Sequence, residues 1–312
     1  MLAYILRRLW QMLPTMAGVV VLVFLLFNWV GGDPAYILAG KMSNPEAIAN
    51  IRKQLGIDQP YYVQLWIFVK QILSFDFGNA WSTGEAVSSI ISTRLGPSLT
   101  VLIPLTILET VIGIALALAI AAVAGSLTDR AVMVACTMGM SISILVYIIV
   151  FQYGFAYKLG LFPVQGWGDN FWENLLRYAT LPILIGLVVS IAPTLRLFRT
   201  FVLDEVGQDY VRTARAKGLG ERRIMWVHVL RNAAIPIITH VMSNLPALLI
   251  GAFLLERFFS IPGIGREVIL AVERSDFPVI KAITVYVAAA TMIFNLLTDL
   301  LYQAVDPRVQ LK

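Results

Sequence analysis

The sequence predicts an all-α integral membrane protein with six transmembrane helices, cytoplasmic N- and C-termini, and a long external loop between helices one and two. Three observations carry that prediction. Of 312 residues, 58% are apolar and only 14% charged, whereas soluble domains carry about 25% charged residues; mean hydropathy is +0.78. Six stretches lack charges, or hold one, over the roughly 20 residues that cross a bilayer. Lysine and arginine are distributed unevenly between alternate connecting segments, which sets orientation.

Helix one occupies 9–30, between Arg8 and Asp33. Arg7 and Arg8 before an apolar run imitate a signal peptide, but the run is too long for the usual apolar region and no small-residue cleavage site follows, so it reads as a retained anchor. Helix two falls in 97–125, uncharged except for Glu109. It still inserts: twelve Leu, Ile and Val residues between Val101 and Ile120 contribute roughly −0.3 to −0.6 kcal/mol each against about +2.5 to +3.5 for a central acid. Helices three to six follow at 130–158, 177–196, 231–256 and 281–305. With the N-terminus inside, the cytoplasmic pieces 1–8, 125–130, 196–231 and 304–312 hold 13 of the 24 Lys and Arg; the external pieces 31–98, 157–179 and 256–281 hold 11 over about twice the length. The organisation is therefore 1–30 as terminus and first helix, 31–98 as external loop region, and 99–312 as a core with a cytoplasmic loop at 203–235.

Composition excludes several functions. One cysteine rules out an internal disulfide framework. Two histidines and one cysteine leave little for a metal site. No lysine precedes Ser or Thr, so there is no phosphate-binding P-loop. The net charge of +5 reflects basic loops at a membrane, since no domain surrounds them to hold nucleic acid. Inverted repeats, which secondary transporters favour, are not evident.

Two loops are informative. The external one opens with the turn signal Gly31-Gly32-Asp33-Pro34. Residues 46–55 read as a short helix. Pro60 starts another, with Tyr61, Leu65, Phe68 and Ile72 on one face, Gln64, Lys70 and Gln71 off it, and Tyr62 and Trp66 suited to the membrane interface. This region is either a surface cap or a dock for an external protein. In the cytoplasmic loop, Asp204, Glu205 and Asp209 come early and Arg212, Arg215 and Lys217 late, as a helix dipole prefers. Gly218 suits a left-handed C-cap, and Glu221 can begin a second short helix with Arg222 and Arg223. Tyr210, Ala214 and Lys217 share a face, and Ala214 with Gly218 leaves a small-residue surface that another protein can approach. The alternative is a solvated basic loop.

The run Asp209-Tyr210-Val211-Arg212-Thr213-Ala214-Arg215-Ala216-Lys217-Gly218-Leu219, followed by Leu230-Arg231-Asn232-Ala233 and Pro236, resembles the cytoplasmic loop of ABC importer permeases. The closest branch is that of dipeptide, oligopeptide and nickel transport, with the type I importer fold. Further landmarks keep the family's order over nearly the whole chain: Gly32-Asp33-Pro34, Leu55 to Pro60, Phe75-Asp76-Phe77-Gly78, Leu159 to Val164, Phe259-Ser260-Ile261-Pro262-Gly263-Ile264-Gly265, Asp276 to Val279, Asn295 to Tyr302 and Asp306-Pro307-Arg308. The sequence departs at Arg212-Thr213-Ala214, where the general signature has Glu-Ala-Ala, and at Ser141-Ile142-Ser143-Ile144, where helix three usually carries Ser-x-Pro. Without that proline, helix three is expected to be straighter.

The resemblance implies a non-catalytic translocation subunit of the bacterial inner (cytoplasmic) membrane, spanning it several times. It implies a second, similar permease forming a heterodimer, two ABC ATPase subunits that carry ATP and Mg, and an external solute-binding protein, with peptides or peptide-like solutes as cargo. Nickel, metallophores, opines and oligosaccharides are alternatives within the family. No cofactor, metal or nucleic acid is expected on this chain; lipid surrounds it. The ATPase-coupling residues would be Asp209, Tyr210, Arg212, Ala214, Arg215, Lys217, Gly218 and Leu219, within 204–223. Glu109, Ser141, Ser143 and Asn244 are pathway-lining candidates, and Asp58, Gln59, Pro60, Asp76 and Gly78 are candidates for docking the binding protein. Glu109, Asp299 and a partly exposed Glu256 are functional candidates because acids within a membrane are costly; pairing, for instance with Arg196 or His240, is the alternative, as is an ion-coupled relay through Glu109 and Asp299. His240 and Cys136 read as packed residues.

Overall fold

The computed structural model describes residues 2–30, 34–39 and 44–305. The Gly31-Gly32-Asp33 turn and the Asp306-Pro307-Arg308 motif lie outside the described residues. Among the described residues the chain is helical, with one antiparallel bridge, Asn79–Ala86, and no strand. The order is α1 (Leu2–Leu25, extended by a π-helical turn Leu26–Val30), α2 (Pro34–Ala39), α3 (Pro45–Leu55), α4 (Tyr61–Ser74), α5 (Val87–Ala122), α6 (Leu127–Met140) and α7 (Ile144–Phe151, continued by the π-helical Gln152–Lys158). Then follow α8 (Phe171–Glu173), α9 (Thr180–Val206), α10 (Asp209–Ala216), α11 (Glu221–Arg223, continued by the π-helical Ile224–Val229) and α12 (Leu230–Asn244). The chain finishes with α13 (Ala247–Ile250), α14 (Phe253–Phe258), α15 (Ile264–Glu273) and α16 (Phe277–Val305).

Five apolar stretches are long enough to cross a membrane: Tyr4–Asn28, Val87–Ala122, Thr180–Val206, Glu221–Phe258 and Phe277–Leu300; α6 and α7 make a sixth when the bent pair is counted as one span. Five of the six predicted spans are thus present as continuous helical stretches, but their ends differ. Helix two begins ten residues before position 97, because Val87 and Ile90 pack into a core and the intervening Arg94 faces Glu267 at 3.5 Å. The fourth span runs on through Arg196 to Val206. Arg199 is carried inward by a fork on the buried Asp129, 2.8 and 2.7 Å, and planar bidentate pairing of this kind suits a desolvated carboxylate. Gly125 N–H also donates to Asp129 at 2.8 Å, which holds the α5–α6 turn.

The expected straight helix three is corrected by a 91° bend between α6 and α7. Proline is not needed for it. Ser141 Oγ bonds back to Thr137 O at 2.9 Å at the end of α6. Ser143 adopts an extended conformation and caps α7 by accepting the Leu145 N–H at 3.3 Å. Two serines therefore terminate one helix and start the next, which replaces the hydrogen bonds lost at the break.

The region between α1 and α5 is built rather than irregular. Asn44 caps α3 through Glu46 N–H, and Gly56 closes it at φ 65°. On α4, Phe68 is buried and Leu65 and Ile72 pack beside it, as the spacing predicts, but Tyr61 is exposed with Tyr62 and Trp66. Asp276, buried just before α16, accepts from Trp81 N–H, Ser82 N–H and Ser82 Oγ at 2.7–3.1 Å and ties this region to the last span. At the opposite end, Arg8 and Tyr4 of α1 meet Asp299 of α16 at 2.7 and 3.0 Å. The start of the first span and the end of the last therefore lie on the same face. Three apolar clusters fill the interior. One joins α5, α6, α9, α10 and α12; one joins α1, α4, α15 and α16 with the start of α5; one joins α5, α7 and α9 with α14.

Candidate functional site

The segment between α9 and α12 is a short helix held between two spans. α9 ends at Val206, so Asp204 and Glu205 occupy its last turn and do not open α10 as the charge order predicts; only Asp209 does. Glu205 is kept at this unfavourable end by the Tyr210 hydroxyl, which donates to it at 2.7 Å. Burial pushes the Tyr210 phenol above its ordinary value, and the neighbouring Glu205 carboxylate adds to the shift. Val211 and Ala214 are buried in the same cluster as Phe198 and Val202 of α9 and Ile224, Met225 and Val229 beyond α11. Ala214 is therefore not part of an open small-residue surface: its own chain covers it. The outward face of α10 is Asp209, Arg212, Thr213 and Ala216, with Arg215, Lys217 and Gly218 exposed beyond it.

Gly218 has φ 76°, the left-handed C-cap the sequence predicts. Its N–H donates to Arg215 O at 2.9 Å and the next N–H, of Leu219, to Ala214 O at 3.3 Å. This is the paired Schellman closure, with Leu219 folded back on the apolar cluster. A Cβ at Gly218 would meet nothing within 4 Å, so the glycine is required by backbone conformation and not by space. Across the turn Arg215 forks onto Glu221 at 2.6 and 3.2 Å, which raises the guanidinium pKa. The exposed pair Arg212–Asp209 at 3.2 Å adds little stability. Helix α10, its cap and α11 are thus packed against the C-terminal half of α9 and the base of α12.

The pathway candidates are not brought together by hydrogen bonds among the described residues. Glu109 is half-buried and accepts from Thr194 Oγ1 across the α5–α9 contact, in place of Arg196 or His240. Ser141 and Ser143 sit at the α6–α7 bend. Asn244 is exposed and bonds to His240 O at 2.9 Å, while His240 packs edge-on against Phe198. Asp299 is occupied by Arg8 and Tyr4, which leaves Glu109 and Asp299 with separate partners.

Glu256 is corrected more sharply. It is not partly exposed but 0% accessible. One carboxylate oxygen accepts Ser98 Oγ–H and Ala252 N–H, both at 2.8 Å, and the other accepts Arg266 N–H at 2.9 Å. Ser98 Oγ in turn accepts Ile264 N–H at 2.8 Å. Gly251, Gly263 and Gly265 close around the carboxylate so tightly that a Cβ on any of them would collide with it or with facing backbone. The Pro262-Gly263-Ile264-Gly265 motif is the wall of a buried carboxylate site that clamps α5 to α14 and α15.

All five docking candidates are exposed. Asp76 accepts Gly78 N–H at 3.1 Å, and Asp58, Gln59, Pro60 and Gly78 line a common cavity. Sequence reasoning missed Lys281, which lines that cavity too; its only local signal is an isolated cation one turn into an apolar span.

Residues 109–311 match the family described as binding-protein-dependent transport system inner membrane component. Residues 1–101 match its N-terminal companion. Curated relatives include the glutathione transport system permease protein GsiC of Salmonella choleraesuis, 34% identical over 312 residues and covering all of both chains. GsiC of Escherichia coli strain K12 is 33% identical, again over both whole chains. The probable peptide ABC transporter permease protein y4tP of Sinorhizobium fredii is 33% identical over 98% of this chain and 99% of its own. With five to six apolar spans, the family's loop motifs in order and these full-length relatives, the chain belongs to the binding-protein-dependent transport system inner membrane component family, as a multi-pass permease subunit of a bacterial ABC importer.

Proposed function

We propose that this chain forms half of a translocation pathway for small peptides, glutathione-like peptides included. A second, homologous permease completes the pathway, and a binding protein delivers the solute at the external region around Asp58, Gln59, Pro60, Asp76 and Gly78. Both termini face the cytoplasm. Two ATPase subunits hold ATP and Mg and seat on the outward face of α10, so that this chain hydrolyses nothing itself. The observation that carries the reading is the burial of Val211 and Ala214 in one cluster with α9 and α12. A displacement of α10 by closing ATPases is thereby passed to two membrane spans as a rigid-body movement. The peptide class rests on the relatives named above.

The test is uptake of radiolabelled glutathione and of a dipeptide such as Ala-Phe by cells with and without this chain. Chain-dependent uptake that stops on ATP depletion and survives a protonophore is expected. Chain-dependent uptake that follows the proton gradient and ignores ATP would establish an ion-coupled carrier instead.

A further inference from the structure

The external region, the end of α1 and the start of α16 enclose a cavity of about 880 Å³, within the range of about 300–1,000 Å³ typical of small-molecule sites. Its walls are aromatic: Phe24, Phe27, Phe68, Phe77, Trp81 and Phe277. Into this setting α16 places Lys281. Its ammonium lies 5.5 Å from the Phe27 ring centroid and 5.6 Å from that of Phe68. Among the described residues no carboxylate pairs with it. An ammonium held between rings is attracted by them, but without a counter-ion its desolvation is incompletely offset. An ionisable side chain one turn into an apolar span, with no charged partner among the described residues of its own chain, points to a ligand that supplies one.

The other polar groups narrow the ligand. Among the described residues, the side-chain amides of Gln54, Gln71 and Asn79 line the cavity without hydrogen-bond partners. Gln64 is already engaged, donating to Ile57 O and Gln59 O at 3.0 and 2.7 Å. Among the described residues Asp58 is the one acid on the wall, and it is unpaired. Arg52 is the second lining cation and lies over Tyr36. A lipid acyl chain has no use for three free amides. A short zwitterionic peptide suits these groups: its carboxylate takes Lys281, its ammonium Asp58, its peptide bond the amides, and an apolar side chain the rings.

The geometry points to a peptide-binding site on the permease itself, in the cavity between α1, α4 and α16, with Lys281 as the carboxylate anchor. It shares Asp58, Gln59, Pro60 and Gly78 with the surface assigned above to the binding protein, so that released solute has a place to be held before the pathway opens. This site rests on the peptide reading of the cargo.

The test uses the full-length chain in phosphatidylcholine nanodiscs, titrated by calorimetry with Ala-Phe and with Ala-Phe amide, which lacks only the carboxylate charge. Saturable binding of the acid is expected, with the amide weaker by about tenfold or more. Lys281→Met removes that difference and Lys281→Arg keeps it. Equal binding of acid and amide, or binding of neither, overturns the site. It is also overturned if native mass spectrometry finds an anionic phospholipid held by wild type and lost from Lys281→Met while Ala-Phe gives no signal. Should Lys281→Met fail to fold, the acid–amide comparison in wild type and in Lys281→Arg decides the question. Cells that import Ala-Phe equally well without the chain would refute the cargo reading. Chain-dependent uptake without acid–amide discrimination would refute this site alone.

Discussion

A Gly218→Leu permease reaches the membrane in normal amount and imports its solute roughly 5- to 30-fold more slowly than wild type. The figure follows from backbone strain. Gly218 sits at φ 76°, where an L-residue with a Cβ loses about 1–2 kcal/mol, a factor of roughly 5–30 in an equilibrium. No fold-wide collapse is expected, because an added Cβ meets nothing within 4 Å and the strain falls on an exposed turn. It falls, however, on the Schellman closure that sets the angle between α10 and α11. The bulk of leucine also projects into the space where an ATPase would seat. Gly218→Asn separates the two causes, since asparagine tolerates the left-handed region, and should retain most of the import. Transport assays with ATP hydrolysis measured in parallel check this, with hydrolysis continuing while import falls in the leucine variant. Undiminished uptake by well-expressed Gly218→Leu would remove α10 from the coupling mechanism.

The second large effect is at Glu256. Glu256→Ala leaves Ser98 Oγ–H, Ala252 N–H and Arg266 N–H without their acceptor in a fully buried site. Each orphaned donor costs about 1–3 kcal/mol, so the loss is about 3 kcal/mol or more, a large part of the stability of an ordinary domain. The variant should be nearly absent from membranes. Glu256→Gln keeps one acceptor oxygen but turns an amide N–H₂ toward a backbone N–H. It should lose about 1–3 kcal/mol and remain detectable with a lowered melting temperature. Ser98→Ala shares the same network, so Ser98→Ala and Glu256→Ala should be far from additive. Abundance by quantitative blotting and melting in detergent give the readout; a stable, abundant Glu256→Ala protein would mean that the clamp contributes nothing.

These two sites differ in how far they could be read from the chain alone. Gly218 was legible, because a C-cap glycine after a short amphipathic helix is a local pattern. The spans were legible as charge-free runs, and the ordered motifs named the family. Glu256 was misjudged because its partner Ser98 is 158 residues away and nothing in the local sequence announces a buried carboxylate. Asp299 pairs with Tyr4 across 295 residues for the same reason. Helix ends were misplaced wherever a charge is satisfied inside the fold: Arg199 on Asp129 lets α9 run on to Val206. The bend in helix three is not announced by a proline, because the serines at 141 and 143 make it with their own hydrogen bonds to the backbone. Ala214 was placed on a partner surface because spacing gives the face of a helix but not what covers it.

Coupling through α10 requires that its outward face contact the ATPase subunits. Thr213 lies on that face, and the single native cysteine, Cys136, is buried. Thr213→Cys in native membranes, treated with a short thiol-to-amine cross-linker, therefore reports on one exposed position. The expected result is an adduct that mass spectrometry identifies as a P-loop ATPase, with a yield that changes between ATP-bound and nucleotide-free states. An accessible thiol at position 213 that forms no ATPase adduct in either state, in membranes that actively import the solute, would contradict coupling through α10.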